Sequence, residues 1–435
     1  MASLISAIAV SSYRIGSMIE DQTLALRLRI AKLESFRSWC AAYGSETTAM
    51  LERKLTLEIT PNPEKNIGLS LHSGKQHKLI GLEIIRFICA ISIMIYHYPI
   101  FWFVGANPVG LIKDQLPFYK YLYWLYERGQ IAVPYFWCIS GFIFFWKYLP
   151  LVPDKVSGFQ FFVLRFSRLY PLHFATLITV LLLQVIHTRV TGTYFTYVDN
   201  TLLNFVLHLM MMGNWTFPKN VSFNGPIWSV SIEVAVYVSF YFLCRTIRRA
   251  DLAALVIAAI AIPVYLNQEG SIQIISCIAF FYLGGSVCFA FLWIDKSNLR
   301  IPTFSVLAAG FAWLWLAGGQ PPVSGYAYLI LTSSCTVLAA VCLPLPRWRL
   351  CEIAGSAGNL TYSAYLLHFP LMLAIVTTGA AVDIEVPRLS RLFFIIFYAG
   401  VLLISVGCYR FFERPAQSGI RKIMLRLGIK NAVHP

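Results

Sequence analysis

GLEIIRFICAISIMIYHYPIFW, residues 81–102, has the length and apolarity of a membrane-crossing helix and yet contains Glu83, Arg86 and His97. A helix of about 20 mostly apolar residues crosses a hydrocarbon core of roughly 30 Å. A charge at the centre of that core costs about 2.5–3.5 kcal/mol on insertion scales, so such groups face a protein interior and mark function by default. Arg86 and His97 are eleven positions apart, close to three turns at about 3.6 residues per turn, so they share one helix face. Glu83, three positions before Arg86, lies on the same face and can pair with the guanidinium, which lowers the cost of burying it.

The rest of the chain has the same character. Of 435 residues 58% are hydrophobic and 13% charged, about half the charged fraction of roughly 25% usual in soluble domains. Apolar stretches at 79–103, 131–149, 169–188, 226–244, 252–267, 272–294, 303–318, 326–345, 361–380 and 391–412 predict an all-α integral membrane protein with about ten transmembrane helices. A further stretch, LLNFVLHLMMMG at 202–213, is too short to cross and reads as re-entrant or interfacial. With ten spans the basic segments around Arg165 and Arg168, RTIRR at 245–249, Lys296 and Arg300, Arg347 and Arg349, and the closing RKIMLRLGIK fall in one compartment. The positive-inside rule makes that compartment the cytoplasm and puts both termini there.

Three regions follow. Residues 1–78 read as a cytoplasmic extension and linker, 79–416 as the polytopic membrane domain and 417–435 as a basic cytoplasmic tail. The net charge of +15 is explained by this topology and by attraction to anionic membrane lipid, so it calls for no nucleic acid. The ten cysteines are scattered singly, with no spacing that suggests a disulfide framework or a zinc site, and no metal is expected.

Other spans also bear polar groups. The second holds YFWCISGFIFFW, where Ser140 and Gly141 interrupt an aromatic run and allow close helix approach. The fourth opens with NGPIWSVSIEVAVY, putting Glu233 about two turns into the membrane with Ser229 and Tyr237 on its face. The ninth carries His368 in TYSAYLLHFPL. Before the third span, in FFVLRFSRLYPLHF, Arg165 and Arg168 are three apart and can face one phosphate or headgroup.

Taken in order, these elements resemble the membrane acyltransferase 3 family. The likeness rests on Arg86 with His97; Ser140, Gly141 and Phe142; Arg165, Arg168 and Pro171; Trp228, Ser229 and Glu233; Tyr362, Ser363, Tyr365, Leu366 and His368; and Glu413 with Pro415, over about residues 80–416. The resemblance implies a multi-pass inner-membrane O-acyltransferase that moves an acyl group, by default acetyl from acetyl-CoA, to a hydroxyl of a carbohydrate or glycolipid acceptor at the cell surface or secreted. It implies His97 as base or acyl carrier and Glu233 as the carboxylate that orients it. Arg86, Arg165 and Arg168 would hold the CoA phosphates, and Ser140, Trp228, Ser229, Tyr365 and His368 would line the substrate cavity. The chain ends at Pro435 without the extracytoplasmic hydrolase-like domain of some members, so direct transfer or a separate transferase partner is expected.

The competing class is a proton-coupled transporter, because buried Glu, Arg and His also form proton relays. No internal repeat or pair of Gly/Pro-broken helices supports it. The H-E-x-x-H and Walker A patterns are absent. Aromatic residues Trp102, Trp124, Trp137 and YKYLYWLY at 119–126 suggest either a sugar-stacking platform or interfacial anchors.

Overall fold

A computed structural model of the chain describes residues 79–152, 156–215, 221–268, 272–316, 325–343 and 349–429. The extension at 1–78 lies outside the described residues. Thirteen α-helices are described: α1 Ile80–His97, α2 Tyr119–Arg128, α3 Ala132–Tyr148, α4 Gly158–Thr191, α5 Leu202–Leu209, α6 Trp228–Thr246, α7 Ala250–Asn267, α8 Gln273–Lys296, α9 Arg300–Leu316, α10 Gly325–Cys342, α11 Arg349–Ala381, α12 Arg391–Cys408 and α13 Arg414–Ile429. Strand is confined to a two-stranded antiparallel pair, Phe103–Val104 with Asn107–Pro108, among the described residues. The fold is that of an all-α integral membrane protein. Among the described residues nine helical stretches are long and apolar enough to cross a membrane. The remaining predicted span, 303–318, corresponds to α9, a helix of 17 residues.

Helices α3 and α8 meet backbone to backbone. A Cβ on Gly141 would sit 1.8 Å from the carbonyl oxygen of Phe281, and one on Gly284 would sit 1.9 Å from that of Cys138. Small residues let membrane helices approach this closely, where dispersion and backbone contacts replace the missing hydrophobic drive. The Ser140-Gly141 break in the aromatic run is therefore the seam of the α3–α8 pair. Around it Phe144, Phe145, Phe240, Phe280 and Phe281 form a fully buried aromatic core.

Helix α11 packs on α1, α4 and α12. Its Pro370 lies inside the helix, where a missing N–H frees the carbonyl four residues back. That carbonyl, of Leu366, accepts instead from Asn224 Nδ2 at 3.1 Å. The substitute bond ties the segment leading into α6 to α11 two residues before His368.

Helix α4 is longer than the predicted third span. It has 34 residues, begins with a capping box at Ser157 and Gln160, and ends at Gly192 in the left-handed conformation. The RFSR motif, expected just before the third span, thus lies in the second and third turns of one continuous helix. Helix α5 has only 8 residues, and His208 near its end offers its carbonyl to His173 Nε2 at 2.6 Å. At roughly 1.5 Å per residue His173 lies about 23 Å from the start of α4 and about 27 Å from its end. The short segment thus meets α4 near its middle, and His208 is the buried residue of α5.

The predicted tail boundary at 416 falls inside a helix. Helix α12 passes through a π turn at Tyr409–Glu413 into α13, and α13 packs against α4.

Candidate active site

Arg86 and Glu83 share the face of α1 anticipated from their spacing. Arg86 Nη1 donates to Glu83 Oε2 at 3.2 Å, with about a fifth of each side chain exposed (18% and 21%). Gly358 of α11 makes room for the carboxylate, since a Cβ there would lie 1.7 Å from Glu83 Oε2. The pair opens onto a cavity of about 220 Å³.

Seven of the ten predicted site residues line that cavity: Arg86, Ser140, Arg165, Arg168, Ser229, Glu233 and Tyr365. They come from α1, α3, α4, α6 and α11, so no single stretch of chain builds the site. Glu83, Tyr237 and Tyr362 also line it.

Glu233 is the centre of a short hydrogen-bond chain. Tyr237, one turn on, donates its hydroxyl to Glu233 Oε1 at 2.7 Å. The phenolic proton is then committed, so the 3.0 Å contact between Ser140 and Tyr237 has Ser140 Oγ as donor. The Tyr237 ring stacks on Phe144 at 4.2 Å between centroids, which holds the phenol in place. Tyr365 likewise donates to the carbonyl of Pro226 and accepts from Ser229 Oγ at 2.9 Å.

Glu233 is not the partner of His97. That expectation is corrected by a different contact: His97 Nδ1 lies 2.9 Å from His368 Nε2, with the two rings stacked 5.1 Å apart at 12°. Helical spacing within α6 fixes which side of α6 Glu233 takes, and packing directs that side toward α3 and α4. The tautomers follow from the surroundings. His368 Nδ1 is 3.3 Å from the carbonyl of Ala364, which only accepts, so Nδ1 carries the proton and Nε2 carries the lone pair. His97 Nδ1 therefore donates to His368, leaving His97 Nε2 as the free base.

Neither histidine lines the cavity itself, nor does Trp228. Trp228 packs edge-on against Trp137 at 5.9 Å, behind the wall. The histidine pair adjoins the cavity through Tyr365, whose ring centroid is 6.0 Å from that of His368. Beyond His97 the chain turns through a 3₁₀ segment, Tyr98–Trp102, pinned by Arg388, whose Nη1 donates to Phe101 O at 2.9 Å. The Arg388 guanidinium also covers Trp102 at 5.1 Å.

The suggested aromatic platform does not form as one surface. Trp102 and Trp137 are buried, whereas Tyr121, Tyr123 and Trp124 on α2 are exposed.

At the opposite end of the cavity Arg165 lies over the rings of Phe144 and Tyr148, each at 4.9 Å, and donates to the Tyr148 hydroxyl. Arg421 of α13, which sequence reading grouped with the topological charges of the tail, donates Nε to Ser167 Oγ at 3.0 Å. Its place in the basic tail is legible in the sequence, but its neighbour in α4 is not. Glu413, from the FFERP motif, is buried and accepts from Ser363 Oγ at 2.6 Å. Among the described residues no group of three or more His, Cys, Asp or Glu is arranged to hold a metal.

The family model described as "Acyltransferase domain" matches residues 79–410. A curated relative, the acyltransferase MdmB of Streptomyces mycarofaciens, is 27% identical over 202 residues, which is 44% of this chain and 47% of that protein. The match thus spans about half of the relative's length. No solved structure matches the chain.

Proposed function

This chain belongs to the acyltransferase 3 family, and from that membership we propose that it is a multi-pass inner-membrane O-acyltransferase, taking an acyl group, acetyl by default, from cytoplasmic acyl-CoA to a hydroxyl of a cell-surface or secreted carbohydrate. The observation that carries the reading is one continuous arrangement. Arg86, Arg165 and Arg168 line a cavity that extends to Tyr365, and Tyr365 adjoins the His97–His368 pair. A phosphorylated donor with a long thioester arm suits a site that is cationic at one end and carries a base at the other.

In this reading the arginines hold the donor's phosphates through charge-assisted hydrogen bonds, and the arm runs past Ser140, Tyr237 and Glu233. His97 Nε2 takes the proton from the acceptor hydroxyl as its oxygen attacks the thioester carbonyl. The tetrahedral intermediate collapses with loss of the thiolate, which receives that proton back from His97. His368 orients His97 by accepting from Nδ1, the role a carboxylate fills in other catalytic histidine pairs.

The test is mass spectrometry of envelope and secreted glycans from cells with the chain, without it and with His97→Ala. An acetyl increment of 42 daltons (~42, from the added C₂H₂O) lost in the last two supports direct chemistry at His97. Full acylation by well-inserted His97→Ala removes the mechanism. A flux driven by a proton gradient, with no acyl product, returns the transporter.

A further inference from the structure

Ser167 sits between Arg165 and Arg168 in α4, and Arg421 reaches it from α13. Arg421 therefore comes within electrostatic range of Arg165 and Arg168, so three cationic side chains from two helices gather here. Among the described residues none of the three has a carboxylate within 4.0 Å. The nearby acids are otherwise engaged: Glu83 pairs with Arg86, Glu233 accepts from Tyr237 and Glu413 accepts from Ser363. Arg165 Nε is buried with no partner. Like charges gathered in a partly desolvated mouth repel one another more strongly than in water, and an anion bound there relieves that repulsion.

Arg421 is held in a way that leaves its fork available. Ser167 Oγ turns its own proton toward Leu164 O at 3.4 Å and receives Arg421 Nε at 3.0 Å. Neither Nη of Arg421 has a hydrogen-bond partner among the described residues. Two adjacent Nη groups match two oxygens of a phosphate, a geometry that lysine does not reproduce.

We propose that Arg421, tethered by Ser167, joins Arg165 and Arg168 to bind a phosphoryl group at the mouth of the cavity. This rests on the reading above, in which the phosphoryl group belongs to acyl-CoA, and adds to it a residue from α13, outside the matched span of 79–410. The same chemistry would accept an anionic lipid headgroup. Arg421 is here a binding residue, with no part in the chemical step.

The full chain purified in detergent, as wild type, Arg421→Ala, Arg421→Lys and Ser167→Ala, is titrated with CoA and with 3′-dephospho-CoA. Phosphatidylglycerol retention against phosphatidylcholine is read in parallel by native mass spectrometry. Arg421→Ala is expected to weaken CoA binding by about ten- to a hundredfold, the range for a lost hydrogen bond to a charged group. Arg421→Lys recovers part of this, and Ser167→Ala loses several-fold. In turnover the donor KM rises and kcat stays near wild type.

A loss for CoA but not for dephospho-CoA assigns Arg421 to the 3′-phosphate, and a loss for both assigns it to the diphosphate. Wild type that ignores CoA but retains phosphatidylglycerol through Arg421 keeps the phosphoryl site and withdraws the acyl-CoA donor. Unchanged binding of both CoA and phosphatidylglycerol in monodisperse Arg421→Ala overturns the proposal. Should that variant not fold, unchanged binding in Ser167→Ala does so instead.

Discussion

His97 Nδ1 and His368 Nε2 lie 2.9 Å apart although their residues are 271 positions apart in the chain. The carbonyl of Ala364 beyond His368 makes His368 the acceptor of the pair and leaves His97 Nε2 with its lone pair. The contact joins α1 to α11, the helices that also bring Glu83 to Gly358, so one helix interface aligns both the base and the ion pair.

Replacing His97 by Ala is expected to lower acyl transfer by about 10²–10⁴-fold, the usual worth of a general base. His368→Ala lowers kcat less and leaves donor KM nearly unchanged. His368→Gln recovers part of the loss because its amide oxygen can accept from His97. Equal activity of the Ala and Gln variants would show that the acceptor role is irrelevant.

Tyr237→Phe removes the donor that Glu233 uses at 2.7 Å and the acceptor that Ser140 uses at 3.0 Å. A buried group left short of a partner costs about 1–3 kcal/mol, so a lower melting temperature in detergent is expected. Ser140→Ala in the Tyr237→Phe background should add little, since both act in one chain. Additive losses in the double variant would argue that they act separately.

Gly141→Val and Gly284→Val place side chains where carbonyl oxygens of the facing helix already lie, at 1.8 Å and 1.9 Å from a Cβ. Separation of α3 from α8 follows, with loss of the monodisperse peak in size-exclusion chromatography. A normal elution profile for either variant would mean that the two helices tolerate a wider spacing.

Gly358→Ala puts a methyl group 1.7 Å from Glu83 Oε2 and displaces the carboxylate from Arg86. Its kinetic effect should match that of Glu83→Gln, with the double variant no worse than either alone. Independent, additive effects on donor KM would separate Gly358 from the ion pair.

Much was legible along the chain because a bilayer imposes strict local rules. Span length, the face shared by Glu83, Arg86 and His97, the turn relation of Glu233 to Tyr237 and the inability of 202–213 to cross all follow from helix rise, periodicity and the cost of unpaired polar groups in hydrocarbon. Which helix face meets which is a matter of packing, and sequence periodicity is silent about it. That is why Glu233 turned to Tyr237 and Ser140 while His97 found His368, and why Arg421 reached Ser167 across 254 positions. Composition and span pattern suffice for the class of protein and for the ionisable groups that a membrane must hide. Their partners came from helix packing, which at Gly358 admits the Glu83 carboxylate to the same α1–α11 interface that joins His97 to His368.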